Sequence, residues 1–291
     1  MFDYRIDTFL MAAKTLNFTK AANQLHITQP AVSMHIHQLE DEYQTKFFIQ
    51  DGKHLQLTEN GKQFYQVALR MKNDDHHLRQ HFIQNKGITE LNFGCTLTIS
   101  DYCLQDSLKK LWQTYPQLHL NLYVGNTQNL LEKIKDGTLD FAIVEGFFSK
   151  DLYDHSIFSK QEYIPVCAKD HVFSKEIQSI KDLKKEPLLL REQGSGTREI
   201  LERVLTFHNL SLNEFNIIAQ IGSLNTIKQC VQQDLGISFF YRPVVQKELQ
   251  EKNLCQIQIQ EKIHHTFSCV WSKTSFFSNT YKEIADILKD C

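Results

Sequence analysis

The sequence predicts a multidomain chain. An N-terminal, all-α winged helix-turn-helix occupies residues 1–58, and a long linker helix residues 59–87. A C-terminal α/β domain of two Rossmann-like subdomains fills residues 88–291, the first from 88–161 and 265–291, the second from 162–264. Three observations carry this. Two short, capped helices joined by a tight turn fit residues 17–39. An apolar stripe at helical spacing runs from Thr58 to about residue 86, broken by Asp75. From residue 88 onward strand-like and helix-like runs alternate, as in sheets with crossover helices. A length of 291 residues suits more than one domain.

Residues 4–16 read as a first helix with Ile6, Phe9, Leu10 and Leu16 turned inward. Asn17 is placed to cap the next helix and Thr28 the one after, each side-chain oxygen accepting from a free backbone N–H. Pro30 falls in a first turn, where its missing N–H costs nothing. Ala21 and Ala22 leave room for a close helix approach, and Leu25, Ile27, Val32, Ile36 and Leu39 supply apolar contacts. Gln29, Ser33 and His35 are then left facing outward. A capped helix with short polar groups near its N-terminus is shaped for a DNA major groove. After it, Asp51-Gly52 is a strong hairpin turn between two apolar-containing runs, making a wing with Lys53 and His54 at its tip, in reach of phosphate or the minor groove. Thr58 caps the long helix, along which Phe64, Ala68, Met71, Leu78 and Phe82 recur at steps of three and four. A helix this long needs a partner, either a second chain or its own C-terminal domain.

Phe18-Thr19-Lys20-Ala21-Ala22, Leu25, Thr28-Gln29-Pro30-Ala31-Val32-Ser33, Ile36 and Leu39-Glu40 together resemble the helix-turn-helix signature of the LysR-type transcriptional regulators, nearly position for position. The resemblance implies double-stranded DNA as a partner, contacted by Asn17, Thr19, Thr28, Gln29, Pro30, Ser33, His35 and His37, with Lys53 and His54 from the wing. It also implies linker helices paired antiparallel, C-terminal domains pairing chains again into a dimer or homotetramer, RNA polymerase recruitment, and a C-terminal clamp like that of periplasmic solute-binding proteins.

Charge refines this expectation. Residues 1–59 hold five Lys and Arg against seven Asp and Glu, a net of −2 with His neutral, and Met34 and His37 stand where the family commonly carries Arg or Lys. Phosphate neutralisation supplies much of a DNA-binder's affinity. A single N-terminal domain is therefore expected to hold DNA modestly and to gain strength from paired half-sites. His26, His35, His37 and His54 stand ready to charge near phosphates, and the linker region 60–86 is basic, at net +3.

In the C-terminal domain, strands are expected at 91–95, 118–124, 140–144, 163–168, 187–190, 215–220, 236–240 and 265–271, and helices at 101–115, 128–135, 198–209, 225–233 and 275–289. Ligands in open α/β sheets bind beyond the C-terminal strand ends. Hydroxyl-rich turns lie there ahead of helix N-termini: Thr96, Thr98 and Ser100; Asn126 and Thr127; and Ser195, Gly196 and Thr197, flanked by Gly194. Such turns favour anions. The family resemblance assigns the same turns, with Ser223, to a small-molecule effector. The string Gly194-Ser195-Gly196-Thr197-Arg198-Glu199, with Gly222-Ser223 and Ile227-Lys228, resembles the branch that includes regulators of carbon fixation and sulfur assimilation, which implies an anionic metabolite.

Other classes fit less well. Seven scattered cysteines without a CxxC pair point to free or buried thiols, with neither disulfides nor zinc expected. His76-His77 and His264-His265 are neighbours whose side chains diverge on a helix, so no metal is expected there. Residues 198–229 hold no cysteine, unlike peroxide-sensing relatives. Asp140, Glu145, His155 and His208 show no nucleophile–base spacing, so neither catalysis nor a cofactor is expected. No apolar run reaches 18 residues and the N-terminus lacks a signal-peptide pattern, so no membrane partner and a cytoplasmic location are expected, against the rival reading of an exported solute-binding protein.

Overall fold

The computed structural model describes residues 3–51, 54–84 and 90–289. The chain forms two units, residues 1–89 with 132–139 and residues 90–131 with 140–291. In the first lie α1 (Tyr4–Thr15), α2 (Phe18–Leu25), α3 (Gln29–Glu42), β1 (Phe48–Asp51), β2 (His54–Leu57) and α4 (Glu59–Gln84). The caps explain the boundaries. The Asn17 side chain accepts from Lys20 N at 2.9 Å, and Thr28 Oγ1 from Ala31 N at 3.4 Å. Each of the first two helices ends on a residue in the left-handed region, Leu16 (φ 46°) and His26 (φ 55°), which lets the chain reverse without an added loop. Those reversals correct two assignments: Leu16 and Ile27, expected to pack inward, lie in the turns and are exposed.

Phe9, Ala12, Ala21, Ala22, Val32, Ile36 and Leu39 make the core of this unit. Phe47 adds an anchor ahead of the wing, stacking on Phe64 at 4.4 Å and meeting Phe9 edge-on at 5.3 Å. Glu40, buried, accepts from Phe47 N at 2.9 Å and Phe48 N at 3.3 Å and pairs with Lys46 at 2.6 Å. Burial opposes its ionisation, but the ammonium and the two amides outweigh it and hold the carboxyl below its ordinary value. This carboxylate aims the chain into the hairpin, where Phe48 pairs with Leu57 and Asp51 with His54. Thr58 Oγ1 accepts from Gly61 N at 2.9 Å and donates to Lys46 O at 2.6 Å, fixing the start of α4. Gly61 is required there, since a Cβ would sit 2.1 Å from Phe47 O. Along α4, Phe64 and Ala68 face this core, whereas Met71, expected in the same stripe, is 48 % exposed. The side chain of Phe82 and the expected end of the linker helix at 85–87 fall outside the described residues.

The second unit holds β3 (Glu90–Cys95), α5 (Leu97–Tyr102), α6 (Gln105–Thr114), β4 (His119–Val124), the first half of α7 (Thr127–Lys135, which from Glu132 belongs to the first unit), β5 (Phe141–Val144) and β6 (Tyr153–Ala168). It continues with β7 (Leu188–Leu190), α8 (Gly196–Phe207), β8 (Ile217–Gln220), α9 (Leu224–Gln232), β9 (Ser238–Tyr241), α10 (Arg242–Gln250), β10 (Leu254–Gln256), β11 (Ile263–Ser272) and α11 (Ser278–Leu288). One sheet runs β10-β6-β11-β5-β3-β4, with β9 also on β6, and β7 and β8 form a separate pair. The β3–β4, β3–β5 and β7–β8 pairings are parallel. The long strands β6 and β11 run antiparallel to each other over ten register positions and serve both lobes.

Several elements differ from expectation. Strand β6 begins at Tyr153, ten residues early, because its first half (Asp154, His155, Ser156, Lys160) is polar and lies open to solvent on one side. The 161/162 boundary drawn between subdomains therefore falls within one continuous strand. The helix expected at 101–115 is two helices broken at Cys103-Leu104, and α10 and β10 were not anticipated. Asp140, weighed above for chemistry, is a tie: its carboxylate accepts from Asn92 N at 2.7 Å and from Tyr281 OH at 3.2 Å, joining β3 to α11. Cys95, Cys103, Cys167 and Cys269 are buried free thiols, and Cys255 is exposed.

Candidate DNA-reading helix and effector cleft

Gln29 and Pro30 are exposed at the leading end of α3, and Ser33 is half-buried one turn on. Gln29 Nε2 donates to Ser33 Oγ at 3.0 Å, holding the two as one polar surface. Asn17, Thr19 and Thr28 are exposed beside it, the first and last already spent on caps. His37 is exposed, its ring 3.6 Å from Glu40, and His54 is exposed on the wing. Lys53 lies outside the described residues.

His35 differs from expectation. Its Nδ1 meets Thr8 Oγ1 at 2.9 Å and its ring packs edge-on against Tyr4 at 4.8 Å. Six positions beyond Gln29, it has rotated off the outward face and joins α3 to α1. Several cations of this unit are also occupied. Arg5 pairs with Asp3 and Glu42, Lys46 with Glu40, and Lys72 with Asp7. Lys14 and Lys20 stay exposed without an ion pair among the described residues.

In the second unit five strand ends converge. Thr96 and Leu97 follow β3, Val124 ends β4, and Gly125 and Asn126 follow it. Glu145 follows β5, Arg191, Glu192, Ser195 and Gly196 follow β7, and Gly222 follows β8; together they line a cavity of about 240 Å³. All lie at C-terminal strand ends, where parallel strands deliver helix N-termini to a ligand. Gly194 turns the β7–α8 loop with φ 86°. Gly196, at the start of α8, packs so closely that a Cβ would lie 2.7 Å from Glu145 Cγ and 2.9 Å from Gly146 N.

The polar inventory is unusual for a buried surface. Thr96 Oγ1, Ser195 Oγ, Arg191 Nη1 and Glu145 Oε2 are buried and have no hydrogen-bond partner among the described residues. Buried polar groups are ordinarily satisfied, so these four are able to bond a molecule held in the cavity. Arg191, 8 % exposed, uses Nε and Nη2 on Glu192 at 2.8 and 2.9 Å, which leaves Nη1 as the open arm. Glu145 is 2 % exposed, and its Oε1 accepts from Thr197 Oγ1 at 3.1 Å. Burial pushes its pKa up to about 7, against the easing effect of Thr98, Arg191 and Thr197.

Of the residues expected at this site, Thr96, Asn126, Ser195 and Gly196 line the cavity. Thr98 and Thr197 stand behind it, against Glu145. Thr127 Oγ1 accepts from Gly146 N at 3.2 Å, bracing the turn after β5. Two are turned elsewhere: Ser100, on α5, lies beside the Cys95 thiol, and Ser223 caps α9 by accepting from Thr226 N at 3.2 Å. Sequence reasoning missed Glu145 and Arg191 as cleft residues. Each follows directly on a fully buried apolar strand, Phe141–Val144 and Leu188–Leu190, and that position is the signal that would have found them.

A capped helix presented outward and a cleft built for a small molecule define a ligand-responsive transcriptional regulator. Residues 4–62 match the family described as bacterial regulatory helix-turn-helix protein, lysR family, and residues 85–290 match the LysR substrate binding domain. The chain belongs to the LysR family of transcriptional regulators. It is 32 % identical over 262 residues to the HTH-type transcriptional regulator CysL of Bacillus subtilis, covering 87 % of this chain and 85 % of that one. It is 27 % identical over 280 residues to a probable RuBisCO transcriptional regulator of Phaeodactylum tricornutum, covering 94 % and 91 %. Among solved structures, a full-length OxyR variant from Pseudomonas aeruginosa superposes with a TM-score of 0.76 at 20 % identity, covering 100 % of this chain and 95 % of that one. ArgP from Mycobacterium tuberculosis superposes with 0.77 at 13 % identity, covering 99 % and 96 %. No helix among the described residues is long and apolar enough to cross a membrane.

Proposed function

We propose that this regulator works in the cytoplasm and binds paired DNA half-sites as a dimer or tetramer, under the control of a small anionic metabolite held in the cleft. One observation carries the effector class: Arg191 Nη1, Ser195 Oγ and Thr96 Oγ1, all buried and unpartnered, converge where α8 begins. A guanidinium arm, two hydroxyls and a helix N-terminus form a donor-rich cradle for carboxylate or oxyanion.

For DNA, Gln29 reads a base edge, since an amide pairs bidentately with adenine, and Ser33 supports it. Asn17, Thr19, Thr28 and Pro30 shape the approach and meet phosphates, with His37, Lys53 and His54 at the flanks. His35 serves the fold of the domain. Self-association is supported by Val67 and Met71, exposed apolar groups on α4, and by the outer edge of β4, where Leu122, Tyr123 and Val124 are exposed. Closing of the cleft on its ligand would change the angle between paired DNA-reading heads and so polymerase recruitment.

The test is thermal unfolding of the full-length protein against a panel of carboxylates and inorganic oxyanions. The proposal expects stabilisation by at least one anion and its loss in Arg191→Met. A response confined to neutral or cationic compounds would contradict it.

A further inference from the structure

The cleft that offers donors to an anion also contains a carboxylate, and the two must be reconciled. Glu145 directly follows β5 on the cavity wall, with Oε1 accepting from Thr197, the Thr98 hydroxyl standing beside the carboxyl, and Oε2 buried with no hydrogen bond of regular geometry among the described residues. Gly196 packs on its Cγ, and the absence of a Cβ there lets the carboxyl and the start of α8 share one place. A second negative charge beside an ionised, buried carboxylate is costly, because little solvent screens the pair. Arg191 relieves only part of this, since two of its nitrogens are already committed to Glu192.

We infer that Glu145 couples effector binding to a proton: the anion held by Arg191, Ser195 and Thr96 binds together with one proton taken up by Glu145, whose Oε2 then donates a hydrogen bond to it. This rests on the anionic-effector reading and adds a selection rule. The cleft accepts an anion as a hydrogen-bond acceptor toward Glu145 and discriminates against it as pH rises. No bond is broken; one proton moves from solvent to Oε2, while Oε1 keeps its bond from Thr197.

The groups around Glu145 leave it as the titrating element near neutrality. From β6 and β9, the buried phenols of Tyr163 and Tyr241 are raised by burial and stay neutral. From β3, burial pushes the Cys95 thiol up to about 12. From β11, His265 is lowered by burial and so is neutral above pH 7. From the β7–α8 loop and α8 come Arg191 and two further carboxylates, Glu192 and Glu199, the last acting on Tyr241 and His265. Glu145 itself lies at about 7 without ligand, so that anion binding above this pH requires proton uptake.

Calorimetry on the full-length protein decides the matter, with sulfate, oxalate and malonate as probes because their charge is fixed between pH 7 and 9. Titrations at pH 7, 8, 8.5 and 9 in two buffers of different ionisation enthalpy give affinity and proton uptake together. Affinity is expected to fall toward about tenfold per pH unit, with close to one proton taken up per anion at pH 8.5. Glu145→Gln, a neutral isostere, is expected to bind with no pH slope and about tenfold or more tighter at pH 8.5. Anion binding by the wild type without pH slope or proton uptake would overturn the proton coupling and leave the effector reading standing. Failure of every probe to bind either protein at any of these pH values would overturn both.

Discussion

The elevated Glu145 carboxyl has a consequence that needs no ligand. The ordinary value of 4.5 rises to about 7 in the folded chain, with burial as the leading cause. The folded state therefore holds this proton over a window where the unfolded chain has released it. The sign follows: stability is greatest below about pH 4.5, declines as pH rises to about 7, and is level beyond. The difference amounts to about 3 kcal/mol of lost stability at pH 8 relative to a neutral side chain. Glu145→Gln keeps the shape, and its amide can still accept from Thr197. It should therefore be more stable than wild type at pH 8 by up to about 3 kcal/mol, and nearly equal to it at pH 4.5. For a domain of this size the gain is roughly 6 to 10 °C in the melting temperature. Differential scanning calorimetry of both proteins at several pH values measures it, with the C-terminal transition followed separately. A variant less stable than wild type at pH 8, or a gap between the two that does not grow with pH, would refute the reasoning that burial of this carboxylate is its dominant interaction.

Further outcomes follow from single contacts. Gly196→Ala brings a Cβ to 2.7 Å from Glu145 Cγ and 2.9 Å from Gly146 N. About 1–3 kcal/mol of stability and most of the anion response should be lost, as read by denaturant titration and thermal shift. Asn17→Ala removes the acceptor for Lys20 N and should cost about 1 kcal/mol in chemical unfolding, while Asn17→Asp should retain most of it. Gly61→Ala drives a Cβ into Phe47 O and should destabilise the N-terminal unit more than Asn17→Ala does. His35→Ala should lower the stability of that unit through lost contacts with Thr8 and Tyr4, and an unchanged melting temperature with weakened DNA binding would return His35 to the reading surface.

The legible parts of this molecule were those set by local chemistry. The caps Asn17, Thr28 and Thr58, the paired runs Phe48–Asp51 and His54–Leu57 and the apolar spacing of α1 to α4 act within a few residues, so sequence order alone exposes them. The strand-end turns were legible for the same reason, which is why Thr96, Asn126, Ser195 and Gly196 could be named in advance. The two charged groups at the heart of the cleft were not. A Glu and an Arg read as surface residues until the sheet brings the ends of β5 and β7 together and buries them. His35 failed for a geometric reason: an outward polar residue and one reaching back to α1 differ by a fraction of a helical turn. Strand β6 was read short because its polar first half gives no apolar run to find.

The leading end of α3 carries the DNA-reading role, and DNA binding by the full-length protein puts it to the test. Genomic fragments retained by the full-length protein are sequenced, and binding to the recovered site and to random DNA is compared for wild type and Gln29→Ala at physiological salt. Gln29→Ala should lose about tenfold to hundredfold in affinity for the site, with little change on random DNA and no change in melting temperature. Equal affinity of the two proteins for the site would contradict it.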